Sequence, residues 1–161
     1  MGVSGSGKSS VGAAIAAREG FAFRDADALH AAEAVAKMAR GVPLDDADRW
    51  PWLDRVGAVL ADLEAHPAGV VVACSALRRS YRDRLRAAAP GLRFVFLDGT
   101  AATLGGRMRD RDGHYMPPSL LASQLATLEA PASDEPDVVR ITVEAPLASV
   151  VEEASAALGR R

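Results

Sequence analysis

The chain has 161 residues, 49% hydrophobic and 25% charged, with a formal net charge of −2. That is enough for one domain with a real core, and it leaves no electrostatic footprint for nucleic acid or an anionic membrane surface. No apolar run reaches the roughly 18–20 residues that span a bilayer and nothing reads as a signal peptide, while a single cysteine, Cys74, allows no internal disulfide and fits a reducing, cytoplasmic setting.

The first element is a loop. Gly2-Val3-Ser4-Gly5-Ser6-Gly7-Lys8-Ser9 meets every fixed position of the phosphate-binding pattern G-x-x-x-x-G-K-[ST]. Its glycines let backbone N–H groups converge on phosphate oxygens, and the helix that follows adds its partial positive charge. Gly2, Ser4, Gly5, Ser6, Gly7, Lys8, Ser9 and Ser10 are therefore the expected ATP-binding residues, with Lys8 reaching the β- and γ-phosphates and the Ser9 hydroxyl on Mg²⁺. Seventeen of the 19 basic residues are arginine, so a lysine at this position is telling. An ammonium is a compact point charge where a guanidinium is a planar fork.

Helical spacing from Val11 to Arg18 ends at Gly20, and a short strand, 21–24, runs into Asp25-Ala26-Asp27. An alanine-rich helix is expected over 29–40, and a second over about 51–65. The continuous apolar run 70–74 reads as a strand buried on both faces. Helix 78–89, strand 92–97, a helix near 101–109, helix 117–129, strand 138–143 and helix 147–158 complete the alternation. This order predicts a doubly wound α/β sheet with ligands gathered at the carboxyl ends of the strands.

Asp25 and Asp27 then fall on the same edge as the phosphates. One carboxylate could hold Mg²⁺ (Asp25) and the other accept a proton from an attacking hydroxyl (Asp27), as in other phosphoryl transferases; a turn with a helix N-cap is the equal alternative. Arg107 and Arg111, which share a helix face, belong to a basic stretch, 107–116, read as a lid that neutralises the transferring phosphoryl group and excludes water. The alternative is a solvated helix face. His30 and His114 are not spaced as metal ligands. Ser75 ends the apolar strand as an N-cap or a distant Mg²⁺ partner.

These segments together resemble the gluconokinase family of P-loop small-molecule kinases. The resemblance is carried by residues 2–9, by Asp25-x-Asp27-x-Leu29-His30, and by Lys37-Met38-x-x-Gly41-x-Pro43-Leu44-x-Asp46-x-Asp48-Arg49-x-Pro51-Trp52-Leu53. It continues through Cys74-Ser75-Ala76-Leu77, Tyr81-Arg82-Asp83, Gly113-His114-Tyr115-Met116, Ser123-Gln124 and Leu128-Glu129-x-Pro131. It implies ATP-dependent phosphorylation of D-gluconate at its 6-hydroxyl, a three-layer P-loop fold of strand order 2-3-1-4-5, and often a homodimer. His30, Arg49, Arg82, His114 and Asp27 become candidates for holding gluconate, with a substrate segment at about 29–53 in a single domain spanning 1–161. A kinase of another small hydroxylated acid such as shikimate, a non-catalytic nucleotide sensor and a defective kinase are the competing readings. The block 44–53 argues against the first. Ala26 and Arg78 depart from the family, which usually has glycine and often lysine there.

In that strand order the first, central strand would precede Met1. Its loss removes on the order of 10 kcal/mol of apolar burial and leaves flanking backbone groups unpaired. The expectation is that Met1 is an internal methionine and that the chain as written folds poorly or binds ATP weakly.

Overall fold

In the computed structural model, which describes residues 1–109 and 118–159, helices and strands alternate from the loop onward. Helix α1 (Lys8–Glu19) leaves the loop. Strand β1 (Ala22–Asp25) follows, then a 3₁₀ turn (Ala26–Leu29), α2 (Ala32–Ala39), α3 (Asp46–Ala61), β2 (Val70–Ala73) and α4 (Arg79–Ala88). The chain continues through β3 (Phe94–Asp98), α5 (Ala101–Arg109), α6 (Pro118–Thr127), β4 (Val138–Thr142) and α7 (Leu147–Gly159).

The strands pair in parallel as two halves. β1 lies beside β2 with Asp25 opposite Ala73, and β3 beside β4 with Asp98 opposite Thr142. Met1 stands between the halves. Its amino group donates to Val95 O at 2.5 Å, and Leu97 N–H donates to Met1 O at 2.9 Å. Those two bonds make Met1 a one-residue parallel bridge opposite Phe96, while Gly2 N–H ties the other side through Ser75 O at 3.1 Å. The expected order 2-3-1-4-5 is thus present as β1 and β2, then Met1, then β3 and β4. Away from Met1, β2 and β3 are separated by a cavity of about 420 Å³, walled by Val70, Val72, Ala73, Phe94, Val95 and Leu97.

Helices cover both faces. Val11 and Ile15 of α1 pack with Leu97, Ile141 and the Val150, Val151 and Ala154 side of α7, and also reach Val71 of β2. On the other face Trp52, Leu53 and Val56 of α3 meet Tyr81 and Leu85 of α4 over Val72 and Phe94. Both layers therefore span the two halves of the sheet.

Helix α3 differs from the sequence expectation at both ends. It starts five residues earlier because Asp45 and Asp48 form a capping box, each side chain accepting from the other's backbone N–H. Pro51 then falls inside the helix. At the far end the Asp62 carboxylate accepts from Ala65 N–H at 2.9 Å, so this side chain offers the backbone an alternative to the next helical bond.

Candidate active site

The loop is shaped by two glycines that no other residue replaces without strain. Gly5 and Gly7 have φ of 81° and 87°, and a Cβ on Gly5 would lie 2.6 Å from the Leu104 carbonyl oxygen. Among the described residues no group accepts from the Gly5 or Gly7 N–H, and the first N–H groups of α1 point the same way for want of intrahelical partners. A concave set of donors of this kind is an anion cradle. Lys8 Nζ lies over the loop, donating to Val3 O at 3.0 Å. Ser6 is buried, and its hydroxyl has no partner among the described residues.

The two aspartates sit at the end of β1, beside the loop, and do different things. Asp25 caps the 3₁₀ turn by accepting from Asp27 N–H at 3.0 Å, and its other oxygen accepts from the Ser9 hydroxyl at 2.6 Å. One carboxylate therefore both caps the turn and contacts the loop. Asp27 has an 80% exposed side chain that points out, with His30 Nε2 4.0 Å away.

His30 is the reverse: its side chain is 5% exposed and stacks on Trp52 at 4.4 Å between ring centroids. Trp52 is itself fixed through its indole N–H to Ala26 O at 2.7 Å. Burial lowers the His30 pKa, the Asp27 carboxylate opposes that, and Arg49 and Arg55 add to it. Its Nδ1 is buried without a partner among the described residues.

Around this pair the block 44–53 meets the start of α4. Arg49 donates to Leu44 O at 3.2 Å and lies over the Tyr81 ring, 5.7 Å from its centroid. Arg78 Nη1 reaches both oxygens of Asp46, at 2.9 and 3.2 Å, and the Tyr81 hydroxyl donates to the same carboxylate. Burial, then that bond, pushes the Tyr81 hydroxyl up to about 12. Lys37 donates to both Asp45 and Asp48. The second lysine of the chain is thus a clamp on the α3 cap.

Arg82 does not join this group, which corrects its expected place among the substrate ligands. It is 1% exposed, forked onto both oxygens of Glu135 at 2.7 Å, and donates further to the carbonyls of Ala76, Leu77 and Glu129. Arg86 completes the network with Glu135 and Asp137. The two arginines hold the Glu135 carboxyl down at about 2. Arg107 lies beside Gly7 and donates to Val143 O at 2.6 Å. It closes a cavity of about 210 Å³ lined by Ser6, Gly7, Ser10, Ala145 and Leu147. Arg111 and His114 lie outside the described residues.

One contact had no role in the sequence reading. Gln124 Oε1 accepts from Ser4 N–H at 2.7 Å. The Ser123-Gln124 pair is visible as a motif, but only the fold brings it 120 residues back to the loop.

A three-layer parallel sheet with this loop at its carboxyl edge defines a P-loop kinase of small molecules, and a family model described as shikimate kinase matches residues 4–154. The chain is 44% identical to the thermosensitive gluconokinase of Escherichia coli strain K12, over 95% of this chain and 82% of that protein. It is 47% identical to the gluconokinase of Gluconobacter oxydans, over 95% of this chain and 85% of that one. A solved gluconokinase from Sinorhizobium meliloti 1021 superposes with a TM-score of 0.91 at 56% identity, covering 99% of this chain and 89% of that chain. The chain belongs to the gluconokinase family, and it is a kinase.

Proposed function

We propose that the protein transfers the γ-phosphoryl group of ATP to the 6-hydroxyl of D-gluconate, giving 6-phospho-D-gluconate and ADP. The observation that carries this reading is the exposed Asp27 carboxylate, one short turn from the Asp25–Ser9 pair of the phosphate loop. The loop amides and Lys8 take the polyphosphate. The cavity beside Gly7 and Arg107 suits the nucleoside.

Two hard oxygens 2.6 Å apart, Ser9 Oγ and Asp25 Oδ2, fit Mg²⁺, which takes one or two protein oxygens and completes its shell with phosphates and water. Bound there, the ion would neutralise charge on the β- and γ-phosphates. Gluconate brings a carboxylate and a row of hydroxyls. Arg49 offers a guanidinium for the first, and His30, fixed on Trp52 beside Asp27, is the candidate for the second. The segment 29–53 then serves as the acid-binding segment, with His114 joining it.

Asp27 accepts the proton of the 6-hydroxyl as that oxygen bonds to the γ-phosphorus. The bond from phosphorus to the bridging oxygen breaks, and its electrons leave with ADP. Lys8, Arg107 and Arg111 balance charge on the moving group. A cytoplasmic setting and a homodimer belong to the same reading, the first supported by the lone, buried Cys74. The test is ADP release with gluconate, with shikimate and with no acceptor. Release that requires gluconate is expected; release that ignores it, or follows shikimate, rejects the proposal.

A further inference from the structure

The Val3–Ser4 peptide unit is held at both ends. Its oxygen accepts from Lys8 Nζ at 3.0 Å and, at a longer 3.3 Å, from Ser6 N–H, and its N–H donates to Gln124 Oε1 at 2.7 Å. A peptide unit is planar and trans, so its C=O and N–H point in opposite directions and turn together. A side chain that fixes one end fixes the other. The donor is a backbone N–H, so the atom of Gln124 facing it must be the carboxamide oxygen rather than the nitrogen.

Gln124 comes from α6, which has its own anchors. Leu121, Leu125 and Leu128 pack with Val3, Leu77 and Leu104. Past the helix end Glu129 N–H donates to Leu77 O at 2.9 Å, and the Glu129 carboxylate accepts from Arg79 N–H at 2.7 Å. Leu121, Gln124, Leu125 and Leu128 recur at helical spacing, so Gln124 is a polar residue on an apolar face. Helix packing does not need a carboxamide there.

We propose that Gln124 is a positioning residue for Lys8. By holding the Ser4 amide it keeps the Val3 carbonyl turned toward the Lys8 ammonium, and so holds that charge over the loop in readiness for a nucleotide polyphosphate. Without the carboxamide the N–H end of the peptide unit is released and only the longer Ser6 bond restrains the carbonyl end, so the Val3 oxygen is less well aimed at the ammonium. The inference rests on the loop as the nucleotide site and is independent of which hydroxyl acid is phosphorylated.

The test is calorimetric titration of the full chain with Mg·ATP in the absence of any acceptor. Gln124→Leu keeps the apolar packing and removes the acceptor; ATP binding should weaken about tenfold, the scale of one lost hydrogen bond and one misplaced donor, with the melting temperature little changed. In a Lys8→Met background the same substitution should add less than about twofold, because its effect passes through Lys8. Gln124→Glu retains an oxygen for Ser4 and should bind ATP near the parental level once about 0.5 M salt screens its charge. Parental ATP affinity in Gln124→Leu overturns the proposal, as does an equal loss in the Lys8→Met background or a Gln124→Glu loss as large as the leucine variant's. Gluconate is absent from these titrations, so failure of the gluconate assay and failure of this inference are separate results.

Discussion

Two clusters of arginine, acid and aromatic side chains meet on α4, and they are built on opposite rules. Around Arg82 the central pair is enclosed: Glu135 faces two guanidiniums, and Arg82 uses its remaining donors on backbone carbonyls. Around Tyr81 the pairing is uneven: Arg78 and Asp46 are matched to each other, while Arg49 faces no carboxylate among the described residues. Arg49 rests on a ring and one carbonyl, and Asp27 stands out from the end of β1. Burial with complete pairing makes a rigid strut, because removing any member strands a charge away from water. Incomplete pairing at an edge makes a binding surface, because the unspent donors and acceptors are what a ligand can use. Arg82 and Arg49 are the same residue type, each within a stretch that carries the family resemblance, and they differ in what surrounds them.

That comparison breaks if the roles can be exchanged. The largest effect is expected at Asp27→Asn, which should lower kcat with gluconate by about 10²–10⁴-fold, the range for a lost general base, while leaving urea stability within about 0.5 kcal/mol, as for an exposed site away from packing. Glu135→Gln should do the converse. It should cost about 3–5 kcal/mol in urea unfolding by leaving the buried Arg82 guanidinium uncompensated, with KM for both substrates unchanged in the folded fraction. Arg49→Met should raise the gluconate KM about 10–100-fold, the worth of a charge-assisted hydrogen bond, with the ATP KM unmoved.

The smallest effect is in acid. The Glu135 carboxyl is held at about 2, against an unfolded value of 4.5. Between those values the unfolded chain binds the proton and the folded one does not. The stability is therefore complete above pH 4.5 and is lost as pH falls toward 2, by at most about 1.4 kcal/mol per pH unit. Urea midpoints measured from pH 5 to 3 should fall in the parent and flatten in Glu135→Gln. Equal slopes in the two proteins would remove Glu135 from the strut.

The alternation of elements and the loop were legible because each rests on short-range pattern. The run at Val70–Ala73 has no polar residue to place it on a surface, and Gly5 and Gly7 sit where the loop needs φ above zero. For Asp25 the sequence leaves a metal ligand and a turn cap as equal alternatives, and the structure shows the cap, with the second oxygen on the Ser9 hydroxyl. Arg82 was misplaced because its partner lies 53 residues downstream, and nothing in Tyr81-Arg82-Asp83 reveals an acid arriving from another segment. The start of α3 was missed for a different reason: Pro51 between two tryptophans looks like a helix entrance, while the true entrance is the quieter Asp45–Asp48 pair. Gln124 was unreadable in principle, since its role exists only where α6 crosses the loop.

The contacts just past α6 have a consequence for the loop. Glu129 N–H donates to Leu77 O, its carboxylate accepts from Arg79 N–H, and its carbonyl accepts from Arg82. One residue thus ties the end of α6 to the start of α4 through three of its polar groups, and the same helix brings Gln124 to Ser4. A change that loosens Glu129 is felt at the phosphate loop without touching it.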